Sequence, residues 1–113
     1  MARARADILA GTLALMILRT LNALGPLHGY RLARRIEQIS GNQLALNQGT
    51  LYPALLKLEH MGWITAKWGE TDTGRRAKFY AISRAGKKQL QAEADNWARV
   101  AAIVARFMAG ELT

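Results

Sequence analysis

The sequence predicts a mainly α-helical domain with one small β-hairpin. Apolar residues recur at helical spacing in three segments before residue 62. Between residues 63 and 82 the pattern changes to the alternation of strands, and after residue 83 the helical spacing returns. The chain has 113 residues, the usual size of one domain. Half of them are hydrophobic, which excludes a disordered basic tail.

The first predicted helix covers residues 8–24. Its main apolar stripe consists of Leu9, Leu13, Met16, Ile17, Leu21 and Leu24. Ile8, Leu15 and Leu18 lie off this stripe, so the helix is apolar nearly all round and needs neighbours on more than one side. Gly25 and Pro26 end it, because glycine favours a helix end and proline lacks an N–H donor.

Two further helices are predicted over residues 29–40 and 48–61. Residues 43–46 between them form either a plain connection or one strand pairing. Asn47 is the predicted N-cap of the third helix, because its side-chain oxygen can accept a hydrogen bond from a free N–H. Proline is harmless only in the first helical turn. Therefore either this helix begins later than residue 48, or Gly49 leaves room for the ring of Pro53.

A β-hairpin follows, with strands over residues 63–68 and 75–82. Both strands are rich in aromatic and β-branched residues, and residues 69–74 between them are typical of a turn. Four basic residues are expected at or near the tip of this hairpin: Lys67, Arg75, Arg76 and Lys78.

The final helix is predicted to begin after Ser83, its N-cap. One apolar stripe contains Leu90, Ala94, Trp97, Ala101, Val104 and Met108, and a second contains Val100, Ile103 and Phe107. One domain of this size can bury only one of two adjacent stripes. We therefore expect a homodimer, in which the first helix of each chain offers a matching surface to the partner.

Charge and composition limit the classes of function. The formal net charge is +8, and residues 1–83 hold 11 of the 16 basic residues, which points to a polyanion such as DNA. The chain has no cysteine, and its apolar stretches are far shorter than the roughly 20 residues that span a bilayer. His28 and His60 have no neighbours at metal-ligand spacing, and no nucleophile–base pair is apparent. We expect a cytoplasmic protein without membrane contact, cofactor, metal or enzymatic activity.

Three short helices followed by a basic hairpin are the order of a winged helix-turn-helix. We expect residues 1–83 to form this DNA-binding domain and residues 84–113 to form a dimerisation helix, together in one compact unit. The third helix carries polar groups that can contact bases or phosphates in a major groove: Gln48, Thr50, Tyr52 and Lys57. The hairpin offers Arg75, Arg76 and Lys78 to phosphates or to the minor groove.

Several motifs in the same order resemble the PadR family of bacterial transcription regulators. They are Gly25-Pro26-Leu27-His28-Gly29-Tyr30, Gly49-Thr50-Leu51-Tyr52-Pro53-Ala54-Leu55, Leu58-Glu59, Gly62-Trp63-Ile64, Gly74-Arg75-Arg76-Ala77-Lys78-Phe79-Tyr80 and Ser83-Arg84-Ala85-Gly86. The single C-terminal helix is similar to that of the smaller subfamily, in which this helix mediates dimerisation. The resemblance implies a homodimeric repressor that is often released from its operator by a small, frequently aromatic molecule.

Trp97 has two interpretations. It lies in the apolar stripe of the final helix, where it is either dimer core alone or dimer core that also binds a ligand. The resemblance to multidrug-sensing relatives implies that this tryptophan lines a pore between subunits and stacks on flat ligands. The predicted ligand and dimer interface comprises Trp97, Val100, Ala101, Val104, Phe107 and Met108, with Asn96 or Asp95 as a polar contact.

The other candidate residues also have structural alternatives. Tyr52 contacts DNA or packs under the hairpin, and Lys57 contacts DNA or is a solvated charge. Arg75 and Arg76 contact phosphates or only keep the hairpin soluble. A solvated helix face is the favoured interpretation of Arg31, Arg34 and Arg35, and DNA contact by Arg34 and Arg35 is the alternative. For the whole protein, the alternatives to a ligand-responsive repressor are a ligand-independent architectural DNA-binding protein and a module that binds an acidic protein.

Overall fold

The computed structural model describes residues 11–110 and confirms the predicted fold class. The elements are α1 (Thr12–Leu24), β1 (Leu27–His28), α2 (Gly29–Ile39), α3 (Gln48–His60), β2 (Ile64–Glu70), β3 (Arg76–Ile82) and α4 (Arg84–Met108). The predicted start of the first helix at residue 8 lies outside the described residues. Within them, α1 begins only at Thr12, because Gly11 adopts a φ of 89° that an α-helix does not allow.

The sheet has three antiparallel strands in the order β1-β3-β2. The third strand is not at residues 43–46, where the sequence allowed a pairing; it is β1, in which Leu27 pairs with Tyr80 and His28 with Phe79. Residues 43–46 use other partners. The Ser40 hydroxyl accepts hydrogen bonds from the backbone N–H groups of Gln43 and Leu44, and the Glu37 carboxylate accepts one from Leu46.

The hydrophobic core lies where the three short helices meet the base of the hairpin. Its most completely buried large side chains are Ile17, Leu18, Leu21, Leu32, Leu51, Leu55 and Ile64. Tyr80 of β3 and Leu90 of α4 close this core from the hairpin and the last helix. The core therefore fixes α3 and the hairpin relative to each other.

The helix α3 begins at Gln48 and continues through Pro53. The Asn47 side chain accepts a hydrogen bond from the Thr50 backbone N–H at 2.9 Å, which confirms the predicted N-cap. Of the two alternatives for Pro53, a later start of the helix is therefore wrong. The residue four positions before Pro53 is Gly49, which has no side chain to crowd the ring.

The junction between the hairpin and α4 is tightly packed. The Ser83 hydroxyl accepts a hydrogen bond from the Gly86 backbone N–H at 3.0 Å, as expected for an N-cap, and donates one to the Gly62 carbonyl oxygen at 2.7 Å. A Cβ atom at Gly86 would overlap the carbonyl oxygen of Trp63. Only glycine therefore lets α4 start so close to the end of α3.

Replacing Gly86 by alanine should lower the free energy of unfolding by about 1–3 kcal/mol, because the Trp63 carbonyl is backbone and cannot move aside freely. Urea unfolding should show a lower midpoint with an unchanged slope. The control is Ala85→Ser at an exposed neighbouring position, which should change the stability by less than about 0.5 kcal/mol. Equal stability of the two variants would contradict the close approach.

Candidate nucleic-acid interface

The helix α3 turns its apolar side inward and its polar side outward. Leu51, Leu55 and Leu58 are buried, whereas Gln48, Thr50 and Lys57 are exposed, as the sequence predicted for residues that reach a groove. The three exposed side chains do not share one line on the helix. At 100° per residue, Thr50 and Lys57 lie close together, and Gln48 lies about 160–180° away from them, beside the buried stripe.

Tyr52 lies at the contact between α3 and the start of α2. Its hydroxyl contacts Gly29 so closely that a side chain at residue 29 would collide with it. Tyr52 therefore contacts α2 and also lies near Tyr80 of the hairpin strand β3, while 40% of Tyr52 remains exposed. Burial raises the pKa of the neighbouring Tyr80, and Tyr52 and Glu59 raise it further, so Tyr80 stays neutral at physiological pH.

The basic residues of the hairpin lie at different distances from its tip. Residues 71–75 form the turn, in which the Thr71 N–H donates to the Arg75 carbonyl oxygen at 2.8 Å. Arg75 and Arg76 are exposed at or next to this turn, and Lys78 is exposed two residues farther along β3. Lys67 pairs with Phe79, one register position farther from the tip than Lys78.

The hairpin also exposes an aromatic side chain, Trp68, which the sequence pattern did not assign to the site. Trp68 pairs with Lys78 across the strands, and the Arg76 guanidinium lies over the indole at 5.1 Å from the ring centroid. This cation–π contact orders Arg76 while leaving its charge at the surface. Alternation along the two strands places Trp68, Arg76 and Lys78 on one face of the hairpin.

Comparison with known proteins identifies the fold and the family. The sequence model of the transcriptional regulator PadR-like family matches residues 17–92, a span that includes α2, α3 and the whole hairpin. The chain belongs to the PadR-like family. Members of this family are transcriptional regulators and not enzymes, and they bind DNA.

Three relatives illustrate the match. An uncharacterized protein of Lysinibacillus sphaericus is 32% identical over 106 residues, which cover 94% of this chain and 96% of that protein. A transcriptional regulator of Clostridium thermocellum superposes with a TM-score of 0.80 at 25% identity, with 90% of this chain and 98% of the other covered. A PadR-like transcriptional regulator of Bacillus cereus has the same fold, with a TM-score of 0.77 at 24% identity over 93% and 99% of the two chains.

In this PadR-like chain the second half of α4 extends away from the core. Every described residue from Asp95 onward is exposed, including the predicted interface residues Trp97, Val100, Ala101, Val104, Phe107 and Met108. A cavity of about 220 Å³ lies beside Trp97, between α4 and the start of α1. Asn96 and Val100 line this cavity of the single chain, whereas Val104 and Phe107 lie farther along the helix. The predicted pocket between two subunits stays a prediction.

Sequence reasoning missed the other residues around this cavity. Glu93 places a carboxylate in its wall, and Thr12 and Leu15 of α1 form the opposite side. The contact between α1 and α4 joins two distant segments, so no local pattern could have predicted it. Within residues 11–110, the structure contains no helix long and apolar enough to cross a membrane.

Proposed function

We propose that the protein is a homodimeric repressor that binds an operator in double-stranded DNA and is released by a small planar aromatic molecule. The observation that carries this proposal is the exposed apolar surface at the end of α4, on a basic winged-helix domain of the PadR-like family. The domain accounts for DNA binding, and the end of α4 accounts for dimerisation and ligand binding.

The exposed apolar surface of α4 supports the homodimer. Its large apolar side chains are between 41 and 82% exposed: Trp97, Val100, Ile103, Val104, Phe107 and Met108. A single soluble chain rarely leaves so many neighbouring apolar side chains in water. PadR-like regulators are generally dimeric, which agrees with this surface being an interface.

A second apolar surface offers a place for the partner's α4. A groove of about 580 Å³ lies between α1 and α2, and its apolar residues are Leu15, Met16, Ala23, Leu24, Ile36 and Ile39. In a two-fold pairing each α4 covers a surface of the other chain, so both apolar surfaces are buried twice. Such a dimer presents two copies of α3 to two half-sites.

DNA contact is assigned to α3 and the hairpin. Gln48, Thr50 and Lys57 are exposed on α3, and the partly exposed Tyr52 lies beside Gln48. Arg75, Arg76 and Lys78 supply the charges that neutralise phosphates. Gln48 is assigned to base contact, because an amide can donate to and accept from an adenine edge.

Trp97 and the cavity beside it support the ligand part of the proposal. In the single chain the indole is 47% exposed, so in the proposed dimer its face meets the partner subunit or a flat molecule held between the two subunits. The ligand changes DNA affinity only if it binds one arrangement of the dimer better than the other.

Trp97→Ala should abolish quenching of tryptophan fluorescence by planar aromatic compounds and should leave DNA binding nearly unchanged. The measurement is titration of the dimer with a panel of such compounds, alone and with DNA from upstream of its own gene. Trp68→Phe is the control, because it removes an exposed indole of the hairpin and should retain the ligand response. A wild-type dimer whose fluorescence and DNA affinity respond to no compound would leave Trp97 as dimer core and favour the architectural function.

A further inference from the structure

A groove of about 760 Å³ separates α2 from the tip of the hairpin. We call it the α2–wing groove. Its charged lining residues are Arg31, Arg34 and Arg35 of α2 and Asp72, Arg75 and Arg76 of the hairpin. The groove thus brings three arginines, for which the sequence favoured a solvated helix face, next to the two for which it favoured phosphate contact.

The positive charge of the groove is only partly compensated. Arg31 pairs with Asp72 at 3.6 Å, and this carboxylate is 95% exposed, so the pair is weak. Arg34 pairs with Glu37 at 3.3 Å. Arg35 donates a hydrogen bond at 2.8 Å to the neutral Gln38 amide. Five guanidinium groups therefore share one groove with a single lining carboxylate and one carboxylate behind it.

These arginines are close enough together to meet more than one phosphate of a nucleic-acid strand. Residues 31 and 35 are one helical turn apart on α2, about 5–6 Å between Cβ atoms, and each DNA strand carries one charge per ~3.4 Å of helix axis. Guanidinium groups bind phosphate oxygens in pairs of parallel hydrogen bonds. The exposed Tyr30 and the hydroxyls of Thr71 and Thr73 add uncharged donors along the same groove.

We propose that the α2–wing groove binds the sugar–phosphate backbone of DNA beside the segment that α3 reads. A phosphate then replaces the Asp72 carboxylate on Arg31. This inference rests on the proposed DNA-binding function and extends it. Asp72 and a DNA phosphate then compete for Arg31, so the ion pair between Arg31 and Asp72 opens when DNA binds.

The first test measures how affinity for a random-sequence duplex of about three helical turns depends on salt. Between ~50 and ~200 mM salt, the logarithm of the affinity should fall linearly with the logarithm of the salt concentration. Arg34→Gln combined with Arg35→Gln should reduce the slope by about one for each phosphate that is no longer neutralised. The control combines Lys87→Gln with Lys88→Gln, two exposed charges on α4 outside the groove, and should keep the wild-type slope.

The second test removes a negative charge from the groove instead of positive ones. Asp72→Asn should tighten binding to the same duplex by about two- to fivefold, since Arg31 no longer has to leave a carboxylate. Glu70→Gln is the matched control, because it removes the same charge from the same hairpin at a position outside the groove. If both variants bind DNA equally more tightly than the wild type, only the net charge matters, and the proposed competition between Asp72 and DNA is wrong.

The remaining outcomes distinguish a failure of the groove proposal from a failure of the proposed DNA-binding function. If the DNA affinity of the wild type falls steeply with salt and the double arginine variant has the same slope, the groove does not hold DNA and the proposed function stands. If the wild type binds neither this duplex nor DNA from upstream of its own gene, both proposals fail. Unchanged thermal unfolding of each variant shows that the effect is on binding and not on folding.

Discussion

Alanine at both Arg75 and Arg76 is expected to weaken binding to operator and random DNA alike, by about 10- to 100-fold at moderate salt. Both side chains are exposed at the hairpin turn, and a homodimer carries four of them. Because phosphates are the same in every sequence, the loss should not depend on the sequence, and the salt slope should become shallower.

The matched contrast to the arginine variant is a change on α3. Gln48→Ala should alter the preference at one base pair by about 1–3 kcal/mol and leave affinity for random DNA nearly unchanged. Arg99→Ala, an exposed charge on α4, should change neither quantity. Since Arg76 also stacks on Trp68, near-ultraviolet circular dichroism must show that the hairpin remains folded. If the double arginine variant binds both DNAs as tightly as the wild type, the assignment of the hairpin to phosphate contact is wrong.

The second large effect is expected at the end of α4. Val104→Glu combined with Phe107→Glu should convert the dimer into a folded monomer, because two carboxylates then lie in the apolar interface. The monomer loses the second half-site, which should lower operator affinity by about 100-fold or more. Sedimentation equilibrium measures the first effect and a DNA titration measures the second.

A control on the same helix makes this result specific. Ala102 is exposed and lies roughly opposite Val104 and Phe107 at 100° per residue. Ala102→Glu should therefore leave the dimer and its operator affinity intact. If the wild type itself sediments as a stable folded monomer at micromolar concentration, the dimer proposal is wrong.

Local signals predicted most of the elements. Asn47 and Ser83 were identified as caps because their side chains act on backbone groups three residues away. The alternation of residues and the turn glycines located the hairpin, although β2 extends to Glu70, two residues beyond the prediction. These features depend on near neighbours in the chain, so a sequence pattern contains them.

Features that depend on distant contacts were missed. The strand β1 has two residues and exists only because Leu27 and His28 meet β3, more than 50 residues later. The need for glycine at residues 29 and 86 comes from Tyr52 and from the Trp63 carbonyl, which approach from other elements. The α2–wing groove is another case, since an arginine on a helix face looks solvated until the hairpin tip is placed beside it.

The candidate site was predicted to a similar extent. Exposure of Gln48, Thr50 and Lys57 agrees with the pattern of α3, whereas the contact of Tyr52 with Gly29 could not be foreseen from helical spacing. Their roles in DNA binding, like those of the α4 residues, stay predictions.

One titration tests the central claim most directly. The wild-type protein is added to DNA from upstream of its own gene and to random DNA of the same length, at several salt concentrations, with the stoichiometry measured. We predict two chains per operator, a clear preference for the upstream DNA, and a salt slope that corresponds to about 6–10 neutralised phosphates. One chain per duplex, with no preference and no dependence on salt, would contradict a homodimeric regulator that reads DNA with α3 and the hairpin.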